Sequence, residues 1–299
     1  MSLTEPPREH PSTYFVQDRE NVDEMTRLEI QDTMLTKGLG GVCPELADPS
    51  LLHHVLDVGC GTGGWLLEMA KTYPTLERLR GVDVSSKMVA YATAKAEEMH
   101  LGARVQFQTM DALRLLEFPP ASFDLVNQRF GVSWLRTWDW TKILLEYRRM
   151  CRPGGIIRIT EPNIMASYEN SPALTKLNAI ALRTTHRSGH LFAESSDGIT
   201  AELPTLLMRH GMRNVERRVH TLIYRAGTAE ALHFYEDIAL FYRVGLPYFQ
   251  KWTSVPHDYE DLYQQALLEM QSPDFAAQST LLTVWGTPDT NTLLIRGLK

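Results

Sequence analysis

The sequence predicts an α/β fold: a parallel sheet with helices packed on both faces. Three observations carry this. Between residues 54 and 160, short apolar runs of strand length alternate with longer stretches of helical periodicity. The first strand run, Val55, Leu56 and Val58, leads straight into Gly59-Cys60-Gly61-Thr62-Gly63-Gly64. A helix opens directly after those glycines, the arrangement of a ligand-cradling βα turn. The chain has 299 residues, 43% of them hydrophobic, enough for one large domain with additions.

Composition narrows the function classes. Thirty Lys and Arg against 36 Asp and Glu give a net charge of −6, which disfavours a general nucleic-acid binder. Residues 1–13 are polar, hold three prolines and lack the apolar core of a signal peptide, and no apolar run approaches a membrane span. Cys43, Cys60 and Cys151 are scattered without C-x-x-C spacing, which points to a reducing, cytoplasmic setting and no zinc site.

In chain order, a helix is expected over 20–37, with Asn21 as its cap and Val22, Met25, Leu28 and Leu35 on one face. Gly38, Gly40 and Gly41 stop it. The glycine loop follows. Gly59, Gly61 and Gly64 fit G-x-G-x-x-G, so a dinucleotide site is the first rival. Asp57, two residues before the first glycine, opposes it: a carboxylate there repels a pyrophosphate and suits a cationic ligand. The second strand, 79–84, carries Asp83 at its carboxyl end, 22 residues after Gly61, where an acid can hold both ribose hydroxyls. Helix 87–99 follows, with Ser85 or Ser86 as cap. The third strand, 105–110, leads to Asp111 and Ala112, and the fourth, 123–128, ends at Gln128, Arg129 and Phe130. Helix 138–151 then runs through Pro153-Gly154-Gly155 into a fifth strand, 156–160.

Asp57, Gly59, Gly61 and Gly63 resemble motif I of the class I S-adenosylmethionine-dependent methyltransferases, [DE]-x-G-x-G-x-G, and the P-G-G strand resembles their late motif. The resemblance covers about 50–163 and is closest to small-molecule enzymes of the ubiquinone/menaquinone and natural-product kind. It implies a Rossmann-like seven-stranded sheet whose last two strands pair antiparallel at one edge. It implies S-adenosyl-L-methionine as cofactor, held by Asp57, Gly59, Gly61, Gly63, Asp83, Val84, Met88, Asp111, Ala112 and Gln128, with Asp111 on the adenine amino group. It also makes 1–45 a tail and helical lid that brings Tyr14 and Gln31 over the cofactor's methionine end.

The methyltransferase domain then spans 46–299, with 161–200 and 226–279 as helical additions roofing the strand ends. Helices are expected over 171–182, 203–212, 228–244 and 259–270. Strands are expected over 215–224, with Val215, Val219 and Ile223 on one face, and over 280–286. The roof is rich in Tyr, Phe, Trp, Leu and Met, which points to an apolar or aromatic small acceptor methylated at carbon or oxygen. Methyl transfer needs alignment and dryness more than acid–base help. Where a proton must leave, Glu161 at the fifth strand's end and His186 are the candidate bases, beside His190, His233 and Tyr235. His186 and His190 have H-x-x-x-H spacing, but Gly189 lies between them and no third ligand is near, so no metal is expected. A homo-oligomer is compatible with the sequence. The rival from another class is a protein that binds the cofactor without transferring methyl groups, as a sensor or a rearrangement catalyst.

Overall fold

The computed structural model describes residues 14–15, 22–164 and 166–289. Asn21 and residues 1–13 lie outside them. Helix α1 (Val22–Leu39) precedes the alternating region: β1 (His54–Val58), α2 (Gly64–Thr72), β2 (Arg78–Asp83), α3 (Ser86–Glu98), β3 (Val105–Thr109), β4 (Phe123–Arg129), α4 (Trp140–Met150) and β5 (Cys151–Pro162). Then come β6 (Ser167–Glu169), α5 (Pro172–Arg187), α6 (Leu203–Arg209), β7 (Met212–Arg225), α7 (Ala229–Val244), α8 (Leu246–Trp252), α9 (Tyr259–Glu269) and β8 (Ala276–Pro288). The sheet runs β3-β2-β1-β4-β5-β8-β7, parallel through β5 and antiparallel beyond, with the three-residue β6 added alongside β8. These are the seven expected strands plus one short extra.

Strand alternation explains the two-sided burial. Val55, Leu79, Val105 and Leu125 face Trp65, Leu66, Met69, Ala92 and Ala96 of α2 and α3. Leu56, Val82, Val126 and Ile157 face Trp140, Ile143, Leu144 and Tyr147 of α4. A third core lies over the strand ends. Met34 and Leu35 of α1, Leu174 and Leu177 of α5, and Phe234, Tyr242, Tyr248, Phe249 and Tyr259 from α7 to α9 form a cap.

The structure shows which faces of β7 and α1 are buried. Beyond its bulge β7 buries His220, Leu222 and Tyr224, while Val219 and Ile223, on the opposite face, are 61% and 54% exposed. A bulge between Arg213 and Glu216 resets the alternation, and Tyr224 stacks on Phe234 of α7 with ring centroids 4.3 Å apart. Aromatic stacking against the cap outweighs the β-branched pattern. On α1 the deepest residues of the first half are Glu24 and Arg27, at 2% and 7% exposure, with Met25 and Leu28 only half-buried. Their charges are paired within the protein, which is what permits the burial.

Candidate active site

Where β1 ends, the chain turns through Gly59, Gly61 and Gly63, all at positive φ, before α2 begins. Two of these positions require glycine for separate reasons. At Gly63 (φ 78°) a Cβ would sit 2.8 Å from Ala92 Cβ and closer still to the Phe107 ring, so the loop packs hard on α3 and β3. At Gly61 (φ 52°) a Cβ would meet only Leu28, at 3.8 Å, and would project into the open space above the loop. That space is a cavity of about 900 Å³ at the carboxyl ends of the parallel strands, where open α/β sheets bind ligands.

Four regions wall it. The loop and strand ends give Asp57, Gly59, Gly61, Asp83, Val84, Met88, Asp111 and Ala112. Helix α1 gives Glu24, Leu28, Gln31, Asp32 and Leu35, with Tyr14 just before it. The exit of β4 gives Arg129, Phe130, Ser133 and Trp134. Leu113, Arg114, Leu115, Glu117 and Lys142 close the end beyond β3.

Asp83 accepts hydrogen bonds from the backbone of Gly61 (3.0 Å) and Ser85 (2.8 Å), so it ties the loop to the second strand. Asp111 accepts from Leu113 N at 2.9 Å and lies 3.4 Å from Arg114. Asp57 is buried and accepts from Asn127 Nδ2 at 2.7 Å. Its burial pushes the carboxyl up to about 6, although the Arg129 charge and the Asn127 bond pull it down. Arg129 also pairs with Asp32 of α1. The Asp32 carboxylate lies against Gly64, over the N-terminus of α2, so closely that a Cβ there would overlap it.

Above the cavity a second buried set joins α1 to the cap. Arg27 gives Nε and Nη2 to the two oxygens of Glu24, both at 2.8 Å, and Nη1 to Asp237 of α7 at 2.9 Å. The Tyr14 hydroxyl donates to Glu24. Burial, reinforced by the Glu24 charge, holds that phenol well above its usual range, so Tyr14 stays a donor. The neighbouring Phe15 donates its N–H to Ser133 O at 3.2 Å and packs on Tyr248 and His190.

Of the residues expected to contact cofactor, Gln128 and Gly63 do not line the cavity. Gln128 is fully buried, donating to Glu161 Oε1 at 2.9 Å and accepting from Tyr147 at 2.5 Å. Both candidate bases lie elsewhere. Glu161 is fully buried, and it accepts from Gly131 N (2.7 Å), Val132 N (3.0 Å) and Gln128. It thereby caps the turn Gly131–Ser133 and holds Phe130 in its left-handed conformation. Burial pushes its carboxyl to about 7, but it does not line the cavity. His186 sits at the outer end of α5 beside Glu194 at 3.4 Å, and His190 is buried against Ser188. His233 and Tyr235 on α7 do not line the cavity either. Among the described residues no group of three or more His, Cys, Asp or Glu is placed to hold a metal, and no helix is long and apolar enough to cross a membrane.

The sequence reading missed Glu24 and Asp32. Their signal was present: 24, 28, 31, 32 and 35 share one face of α1 at helical spacing. A stripe that mixes acids, glutamine and leucine looks like a solvated face until the cap places a cavity under it.

Comparison with known proteins places this geometry in context. Residues 55–155 match a family model described as a methyltransferase domain. The chain is 33% identical over 133 residues to 27-O-demethylrifamycin SV methyltransferase of Amycolatopsis mediterranei, covering 44% of this chain and 46% of that protein. It is 33% identical over 124 residues to demethylmenaquinone methyltransferase of Porphyromonas gingivalis, covering 41% and 49%. The match therefore spans about half the length of these curated relatives. In fold, it is similar to phosphoethanolamine N-methyltransferase 2 of Haemonchus contortus, with a TM-score of 0.56 at 17% identity over 92% of this chain and 60% of that one.

Proposed function

We infer that this chain, which belongs to the class I S-adenosylmethionine-dependent methyltransferases, transfers a methyl group to an apolar or aromatic small molecule at carbon or oxygen. The observation that carries the cofactor half of this reading is the chemistry of the cavity floor. Asp57, Asp83 and Asp111 converge on it, and the glycine loop brings no cation. The N-terminus of α2, where a dinucleotide's pyrophosphate would rest, is covered by the Asp32 carboxylate. A cofactor with an ammonium, a ribose, an adenine and no phosphate fits this set; a pyrophosphate does not.

When bound, S-adenosylmethionine supplies an electrophilic methyl group on a sulfonium. The chain's own groups then have simple duties. Asp57 faces the ammonium, Asp83 accepts from the ribose hydroxyls, Asp111 accepts from the adenine amino group, and Gly61 leaves room for close approach. Val84, Met88 and Ala112 supply apolar contact around the base. Helix α1 with Tyr14 and Gln31 acts as a lid, keeping water from the reacting end. With Glu161 and His186 away from the wall, acceptor alignment carries the rate. The acceptor class is supported by the apolar and aromatic side of the wall (Leu28, Leu35, Phe130) and by the relatives, which are named for a rifamycin and a menaquinone precursor.

The test is label transfer. Methyl-labelled cofactor incubated with the full chain and a panel of phenols, quinols and prenylated indoles should yield labelled product and S-adenosylhomocysteine. Calorimetric binding of S-adenosylhomocysteine without label transfer to any acceptor class, amines included, would leave a cofactor-binding protein and overturn the transferase reading.

A further inference from the structure

Below the cavity floor a polar row runs across three strands. Strand pairing sets Asp57 opposite Asn127, and Asn127 opposite Arg158, so the three side chains stand side by side on one face of the sheet. Arg158 Nη1 donates to Asn127 Oδ1 at 2.8 Å, and Asn127 Nδ2 donates to Asp57 Oδ1 at 2.7 Å. On its other side Arg158 pairs with Glu45, from the loop after α1. Asn127, Arg158 and the Glu45 side chain are fully buried, and of the four residues only Asp57 reaches the cavity. Burying such a row costs more than filling the space with apolar side chains. The expense marks a role besides packing.

The polarity of the row runs one way. A guanidinium only donates, so Asn127 must turn its carbonyl toward Arg158 and its amide hydrogens toward Asp57. Asp57 therefore meets a donor and is held as an acceptor. We propose that Asn127 and Arg158 are positioning residues that fix the orientation and the negative charge of Asp57 for the ammonium of the cofactor. They touch neither cofactor nor acceptor. The proposal rests on the cofactor reading above.

Electrostatics agree with the geometry. Burial raises Asp57; Arg129 on β4 and Arg158 on β5 favour its anion, and Asp32 on α1 opposes it. Glu45 and Cys43 from the loop after α1, Cys60 from the glycine loop and Tyr147 from α4 are the other ionisable groups around it. Loss of Arg158 removes one of the two cations. It also frees the Asn127 amide to rotate, and its carbonyl would then face Asp57 and favour the protonated acid. The sign follows: the apparent pKa of Asp57 rises, and cofactor affinity is lost from the acid side at a higher pH.

The experiment is calorimetry with S-adenosylhomocysteine, which keeps the ammonium, between pH 5.5 and 8.5. Variants are Asn127→Leu, Arg158→Met, and the double Glu45→Gln/Arg158→Met, which leaves no orphan buried charge. The native chain should lose affinity as pH falls through about 6. In the variants that limb should move up by one pH unit or more, which is about threefold in affinity at pH 6.5 and about eightfold at pH 5.5, with recovery by pH 8.5. An analogue lacking the amino group should bind without the limb. An affinity loss equal at every pH, or an unmoved limb in variants that melt cooperatively, overturns the proposal. Should Arg158→Met not fold, Asn127→Leu alone decides. Failure of the native chain to bind S-adenosylhomocysteine would instead sink the cofactor reading and this proposal with it.

Discussion

The half of the molecule that holds the cofactor pocket and the half that roofs it are built on different rules. From β1 to β5, the proposed site is built of local features: a turn through three glycines, and acids placed where strands end. Each is set by a few neighbouring residues. In the cap, the decisive contacts are distant in sequence: Arg27 meets Asp237 across 210 positions, and Ser171 meets Glu269 across 98. The lesson is that the pocket floor can lose its function while the fold survives, whereas the roof fails as a unit.

That contrast can be broken, and the largest effect should come from the roof. Arg27→Met leaves Glu24 and Asp237 as buried carboxylates without their cation. Breaking a buried pair in this way costs about 3–5 kcal/mol. Thermal melting should show a fall of many degrees, partly restored in Arg27→Met/Asp237→Asn. A melting point within a degree of native would mean that the cap is not held by this pair.

Next comes Gly61→Val, on the floor. Its positive φ and the open space above it place the new side chain in the cavity. Calorimetry should show S-adenosylhomocysteine affinity down by about 100-fold or more, equivalent to about 2.7 kcal/mol. The far-ultraviolet circular dichroism should stay native. Asp83→Ala should cost less, about tenfold, by removing one charged acceptor. It also frees the Gly61 and Ser85 N–H groups, which water can reach. Native affinity in the folded Asp83 variant would remove this residue from the ribose site.

A dependence on pH sharpens the border between the halves. Glu161 rises from an ordinary value of 4.5 to about 7 on folding. Between those values the folded chain keeps a proton that the unfolded chain has released, so stability falls as pH rises from about 4.5 to 7. Glu161→Gln should flatten that slope in denaturant melts, at the cost of a mispaired amide facing Gly131 and Val132. An unchanged slope would show that Glu161 does not titrate in this window.

How much of this was legible in the sequence follows the same border. The strands and helices from 54 to 160 could be read because their periods are local, and the glycine loop because turn geometry admits few residues. The positions of Asp57, Asp83 and Asp111 came from spacing within the motifs. Glu161 was misread because position at a strand end says nothing of what faces it, and here three donors do. The pairings of Arg27, Asp32 and Arg158 were invisible for a related reason. Their partners Asp237, Arg129 and Glu45 lie 97 or more positions away, and no periodicity encodes such a pairing. On β7 the sequence put Val219 and Ile223 on one face but could not say which face the core takes, because a bulge, which leaves no mark in composition, shifts the alternation.

The place of β8 has a consequence for how the chain assembles. It lies between β5 and β7, and its pairing with β5 joins Ile157 to Gly286, a separation of 286 − 157 = 129 residues. During synthesis the helices α7 to α9 leave the ribosome before the strand that closes the sheet beneath them. Until it arrives, β5 and β7 both offer bare edges, and such edges template aggregation. Long loop closure of this kind slows the final step. Chains stalled or cut near residue 275 should therefore be the species that chaperones hold and that inclusion bodies collect.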